Sequence, residues 1–219
     1  MLNEPEWVMR FIVVADSAAA PARIVPEQPR HRGRWLVRYS EQRLLFGAGM
    51  SDTNSVTPQE FRAALGRFIS GVTVITVETA GGEVHGMTAS SFCSVSLRPP
   101  LVLVCIDHLA ETYLHVRESG RFGVSILRED QDALSEFFAD PERNPDAARR
   151  LDIRYNRMKS GTMIVADTLA NLDCRVVQAH EAGDHTIFVA EVQEVSVAEG
   201  APLVYFRGRY GIHRERELT

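Results

Sequence analysis

From residue 72 to residue 212 the chain runs mostly in short β-branched or alternating segments, with too few helical stretches between them for a parallel sheet. Residues 72–77 are β-branched and alternate with Thr73 and Thr76, which predicts a strand half-buried on one face. Ala80-Gly81-Gly82-Glu83 supplies a turn, and residues 84–87 return as the second arm of a hairpin. Residues 91–97 alternate, with Phe92, Ser94 and Ser96 on one face and Cys93, Val95 and Leu97 on the other. Residues 101–106 are a continuous apolar run bounded by Pro100 and Asp107, the pattern of a strand covered on both sides. A short helix over residues 112–118, a strand over 122–127 and a helix from near Asp130 follow, the last with Leu134, Phe137 and Phe138 inward. Residues 140–156 are polar and charged, an excursion over the surface. Strand signals over 169–179, 186–197 and 203–212 close the chain, the first two joined by Glu181-Ala182-Gly183-Asp184. Ahead of all these, Thr57-Pro58-Gln59-Glu60 is a capping box with proline at the first helical position. Phe61, Ala64, Leu65 and Phe68 give that helix one apolar stripe, and Gly71 ends it. The expected fold is mainly β with a few helices, an antiparallel barrel in place of a doubly wound sheet.

The first 49 residues do not share this pattern. They hold seven Arg and no Lys against five acids, with Pro21, Pro26 and Pro29 close together and neither strand nor helix period. We read residues 1–49 as a disordered extension or sequence upstream of the true start at Met50, and residues 50–219 as one domain. A basic arm that binds a partner is the rival reading. Residues 11–15 are apolar, but Glu4 and Glu6 stand where a signal peptide needs positive charge. With three widely spaced cysteines and no apolar run of membrane length, a reducing cytoplasm is the expected location. The formal net charge of −5 gives no electrostatic reason to expect nucleic acid or an anionic membrane as partner.

Chemistry is constrained largely by what is missing. No GxGxxG follows a strand, and no Walker loop, GxSxG or HExxH occurs. The seven histidines show no metal-ligand spacing with cysteines or carboxylates, so no metal is expected. What stands out is the small, hydroxyl-rich segment Thr88, Ala89, Ser90, Ser91. Such a turn can bring backbone N–H groups and hydroxyls to a planar, polar-edged ligand, or its hydroxyls can simply satisfy the turn itself. Cys93 and Cys105 read as small core fillers in strands.

Several segments in order resemble the short-chain flavin reductases, the flavin reductase-like family of FMN-binding split barrels. They are Phe61 with Gly71-Val72-Thr73-Val74-Ile75-Thr76, then Gly86-Met87-Thr88-Ala89-Ser90-Ser91-Phe92 running into Ser94-Val95-Ser96-Leu97 and Pro99-Pro100-Leu101. Farther on come Ser119-Gly120-Arg121-Phe122-Gly123-Val124, Cys174, Gly183-Asp184-His185-Thr186-Ile187-Phe188, and Pro202-Leu203-Val204-Tyr205-Phe206 leading to Tyr210. The resemblance implies a split β-barrel and an NAD(P)H-dependent flavin reductase that transfers hydride from NADH or NADPH to FMN or FAD. It implies flavin contacts at Thr88, Ala89, Ser90 and Ser91, a phosphate-side contact at Asp107 and Thr112, and an aromatic neighbour in Tyr210, for which a core or dimer-interface role is the alternative. Ala110 and Glu111 depart from the family's Ser/Thr-rich run there, and Glu111 brings a charge that repels phosphate. Arg121 and Ser125 are carried as nearby contacts, and His185 as the residue beside the nicotinamide, orienting instead of donating. A homodimer and a separate flavin-dependent monooxygenase are the implied partners. The alternatives are an FMN-bound oxidoreductase acting on a specialised substrate, and a flavin- or heme-binding split-barrel module without turnover.

Overall fold

The computed structural model describes residues 56–214, so the reading of residues 1–49 lies outside the described residues. The elements in chain order are α1 (Pro58–Leu65), β1 (Ser70–Gly71), β2 (Thr73–Glu78), β3 (Val84–Ala89), β4 (Cys93–Leu97), β5 (Pro100–Asp107) and α2 (Glu111–Ser119). They continue with β6 (Arg121–Ile126), α3 (Asp132–Ala139), α4 (Pro145–Arg150), β7 (Tyr155–Arg157), β8 (Met163–Val165), β9 (Ala170–Ala182), β10 (His185–Val197), β11 (Leu203–Phe206) and β12 (Arg209–Ile212). The fold is mainly β, as expected. Among the described residues no helix is long and apolar enough to cross a membrane.

Seven strands form one antiparallel sheet in the order β3-β2-β6-β9-β10-β5-β4. Its two edges, β3 and β4, are consecutive in sequence, and only Ser90, Ser91 and Phe92 separate them. Laid flat, seven strands at about 4.8 Å spacing would put those edges about 29 Å apart. The chain from Ala89 to Cys93 spans at most about 14 Å. The sheet therefore rolls up. Ser91 pins the seam: its hydroxyl donates to the Cys105 carbonyl at 3.0 Å and accepts from the Cys105 N–H at 3.1 Å. A side chain thus continues the β4–β5 ladder just where the backbone of the link leaves it. This is the split barrel the sequence implied.

Two cores follow from the closure. The inner one gathers Ile75, Val77, Val104, Ile106, Phe122, Val124 and Phe188 with Tyr113 and Val116 of α2. The outer one packs Val72, Val74, Leu127 and Phe138 with Val165 and Leu203. Because β2 serves both, Thr73 through Val77 are all buried, so the expectation of a half-buried strand is corrected. Its threonines satisfy themselves in the process: Thr73 Oγ1 donates to the Ala89 carbonyl at 2.7 Å and Thr76 Oγ1 to the Met163 carbonyl at 2.5 Å. Gly86 lets α3 sit down on β3, since a Cβ there would lie 2.7 Å from the Phe138 ring.

Other differences have local causes. Helix α1 ends at Leu65, with the Gly66 N–H bonded to the Arg62 carbonyl, and it buries no residue fully; Phe68 lies beyond it, largely exposed. Residues 203–212 are two strands, not one, because Arg207 (φ 52°) and Gly208 (φ 78°) form a two-residue hairpin loop with both positions left-handed. Cys93 is exposed, not a core filler, while Cys105 and Cys174 are buried.

Replacing Ser91 by Ala strands the main-chain N–H and C=O of buried Cys105. Urea unfolding should show a loss of about 2 kcal/mol with an unchanged m value. A loss within error of zero would mean the seam is closed by something else.

Candidate active site

The seam places the hydroxyl-rich segment differently from a plain turn. Thr88 and Ala89 are the last residues of β3, Ser90 is the bend, and Ser91 belongs to the clamp. Thr88 faces away from the inner core and donates from Oγ1 to the Ser135 carbonyl of α3 at 2.7 Å. Ala89 is buried in the inner core. A hydroxyl has one proton to give, so Thr88 and Ser91 keep acceptor capacity and have no donor left for a ligand. The third hydroxyl, Ser90, is half-buried and takes no part in these bonds. The donors that the seam could offer a ligand are therefore Ser90 and the backbone N–H groups of the link.

Tyr210 joins Thr88 through the same α3 residue: its hydroxyl donates to Ser135 Oγ at 2.9 Å. Burial pushes its phenol above the usual range; the Ser135 bond pulls the other way, and Glu136 and Asp132 add to the rise. Tyr210 also packs on Tyr205, with ring centroids 5.4 Å apart. Ser135, fully buried, is a residue that sequence reasoning missed; nothing in its local pattern marks it.

A second group forms where β10 meets β5. Gly183, at φ 66°, is the first residue of the two-residue loop between β9 and β10, a conformation glycine adopts without strain. That loop docks on the segment after β5, because the His108 N–H donates to the Asp184 carbonyl at 3.0 Å. His185 pairs with Asp107 across the ladder, and its Nδ1 lies 2.5 Å from Asp184 Oδ1. The Asp107 and Asp184 carboxylates and a His185 ring nitrogen all lie within 4.8 Å of one another. Asp107 Oδ1 also accepts the Leu109 N–H at 2.6 Å, shaping the turn into α2. With Nδ1–H given to Asp184, neutral His185 presents Nε2 as an acceptor. That atom is buried and has no hydrogen-bond partner in the protein. Asp184 is the positioning partner that the Gly-Asp-His run itself announces.

Helix α2 begins on Ala110 (φ −72°, ψ 130°) with no side-chain cap, and Thr112, its second residue, is buried. His108, next to Asp107, is held by Thr186 Oγ1 at 3.0 Å and by the Tyr113 ring at 5.0 Å. Arg121 donates to the Ser160 carbonyl at 3.2 Å, and Ser125 Oγ accepts the Val165 N–H at 3.0 Å. The structure thus gathers Thr88 with Tyr210, and Asp107 with His185, as two groups. Strand geometry sets Ser91 and His185 two strand spacings and two residues apart, about 12 Å.

The flavin reductase like domain matches residues 65–213, nearly the whole described fold and both groups of site residues. The chain belongs to that family. An NADH-dependent flavin reductase of a Rhodococcus species is 43% identical over 157 residues, 71% of this chain and 86% of that protein. The reductase component of a Rhodococcus opacus 4-nitrophenol 4-monooxygenase/4-nitrocatechol 2-monooxygenase is 41% identical over 152 residues, covering 69% and 79%. Among solved structures, the NADH:FAD oxidoreductase SgcE6 of Streptomyces globisporus, in complex with NAD and FAD fragments, is 32% identical. It superposes with a TM-score of 0.65 over 75% of this chain and 98% of that one. Within the family fold a flavin fits the seam on this structure's own terms. The Ser90 hydroxyl and the link's backbone lie beside two hydroxyls that have given their protons and can still accept, and the buried His185 Nε2 has no hydrogen-bond partner in the protein.

The thiols are not part of this chemistry. Burial pushes Cys105 and Cys174 up to about 12, the Asp173 charge adding to the rise at Cys174. At pH 8 only about one in ten thousand of each is thiolate. Iodoacetamide should add once to the folded protein, at exposed Cys93, and three times after denaturation; a second rapid adduct on the folded protein would contradict the burial.

Proposed function

We propose that this chain is an NADH-dependent flavin reductase that takes hydride from reduced nicotinamide to FMN or FAD and supplies reduced flavin to a separate monooxygenase. The observation that carries the reading is His185: a buried imidazole aimed by Asp184, with Nε2 unpartnered, on the hairpin beside β5. A bound flavin supplies the redox chemistry, a ring system that accepts two electrons and later passes them on. The protein's part is positioning. Ser91 fixes the link to Cys105, so the donors of residues 90–92 stand in place before any ligand arrives and need no reorganisation. His185 orients the nicotinamide ring without entering the hydride path; its Nε2, closed off before a ligand arrives, accepts an N–H donor such as the carboxamide once the hairpin shifts to admit it. Tyr210 and Thr88, tied to Ser135, support the back of the seam from α3. Thr112 and the uncapped start of α2 are our candidates for the phosphate side, although Glu111 brings a negative charge there.

The reading extends to assembly and place. Val95 and Leu97 on β4, and Val195 and Val197 on β10, are large apolar side chains left exposed, which supports a homodimer. Three free cysteines and a nicotinamide co-substrate support a cytoplasmic location. Light scattering should return about twice the chain mass of 24.4 kDa. A single-chain mass at micromolar concentration would overturn the dimer.

Turnover is tested by mixing the protein with NADH and excess FMN or FAD and following nicotinamide absorbance. His185→Ala should lower kcat about ten- to a hundredfold while flavin affinity stays near wild type. No oxidation with any pairing, despite flavin binding, would make the protein a binding module. A loss confined to flavin affinity would remove His185 from the nicotinamide side.

A further inference from the structure

Away from the seam and the His185 hairpin, the fold gathers three metal-ligating side chains, two of them a helical pair and the third invisible to sequence spacing. Glu111 and His115 are four residues apart on one face of α2. His85 comes from β3, against which α2 packs. One ligand atom from each of the three lies within 4.8 Å of the others, and the His85 and His115 ring centroids are 4.6 Å apart.

We propose that His85, Glu111 and His115 bind a divalent first-row transition-metal ion, with zinc the best match to two imidazoles and one carboxylate. The distances suit it. Two ligands on one tetrahedral ion, each at about 2.0–2.1 Å, stand about 3.3 Å apart. His85 Nδ1 and Glu111 Oε2 stand 3.3 Å apart. The other ring nitrogen of His85, Nε2, lies 3.9 Å from Glu83 Oε2, beyond hydrogen-bond distance but near enough for that exposed carboxylate to close on the imidazole when Nδ1 holds an ion. The His85 side chain is only 19% exposed, so its ring is held in place, while Glu111 at 68% is free to swing onto an ion. The donor set is borderline in softness, which favours zinc, cobalt, nickel or copper over magnesium or calcium. Three protein ligands leave a position for water. The ion would tie α2 to β3 and cancel the charge of Glu111 at the start of that helix.

The rival is a plain ion pair between protonated His85 and Glu111, with His115 stacked beside it. Full-length protein stripped with chelator is titrated with zinc chloride by calorimetry. The expected result is one ion per chain, with His85→Gln and His115→Gln each weakening binding at least about tenfold. Glu111→Gln, an exposed change that leaves the fold intact, should weaken it too. Saturating zinc should raise the Tm of wild type by about 5 °C or more, and of the double histidine variant by far less. Cobalt in place of zinc should give visible ligand-field bands without thiolate charge transfer. Wild-type binding no tighter than that of the double variant would leave only the ion pair. Binding that survives the double variant and is lost in Asp184→Asn would move the metal to the Asp107–Asp184–His185 cluster. Either result overturns the proposal.

Discussion

The fold hangs on a length mismatch. A seven-stranded sheet has to bring its two edges within reach of a three-residue link, and the barrel is the result. Ser91 converts that geometric demand into a bonded seam by lending its hydroxyl to both main-chain groups of Cys105. Closure in turn decides what is inside. The inner core forms between strands that a flat sheet would hold far apart, and β2 becomes a wall between two cores. Gly86 on β3 and Gly123 on β6, which flank Thr76 of β2, mark where other layers press on the sheet: a Cβ on Gly123 would lie 2.5 Å from the Met163 carbonyl oxygen, in place of the close approach of β8.

The same seam creates the candidate site. A link that must turn tightly between two paired strands leaves backbone N–H groups outside any ladder, and small side chains keep them approachable. Of the three hydroxyls in and beside the link two are taken by the structure, Thr88 by Ser135 and Ser91 by Cys105. The structural reading holds for two hydroxyls, which fasten the seam; the flavin contact we propose falls to other atoms, the N–H groups of the link and Ser90. The His185 hairpin depends on closure as well, since β5 carries both the Ser91 clamp and the Asp107 pairing.

The barrel, the strand order along the chain and the Gly183-Asp184-His185 hairpin were legible because each is written in local pattern: alternation, a proline stop, a glycine where φ is positive. What the pattern hid was everything decided across the sheet. Residues 72–77 read as half-buried because alternation cannot show that α3 and β8 cover the second face. Arg207-Gly208 lacks the usual Asn-Gly signature, so the β11–β12 hairpin read as one strand. Cys93 alternated like a core residue, yet it sits on an edge strand with a register shift nearby. His85 and His115 lie thirty positions apart by number, and only the packing of α2 on β3 brings them together with Glu111. Ser135 had no signal at all, since its role is to receive two bonds from other elements.

The central claim is that the three-residue seam is the edge on which flavin rests. Amide hydrogen exchange, read by mass spectrometry with and without saturating FMN or FAD, tests it directly. The account predicts that flavin slows exchange in residues 89–93 most, with a smaller effect at the start of α2, while the β11–β12 hairpin is unchanged. Protection concentrated elsewhere, with residues 89–93 exchanging as in the free protein, would contradict it.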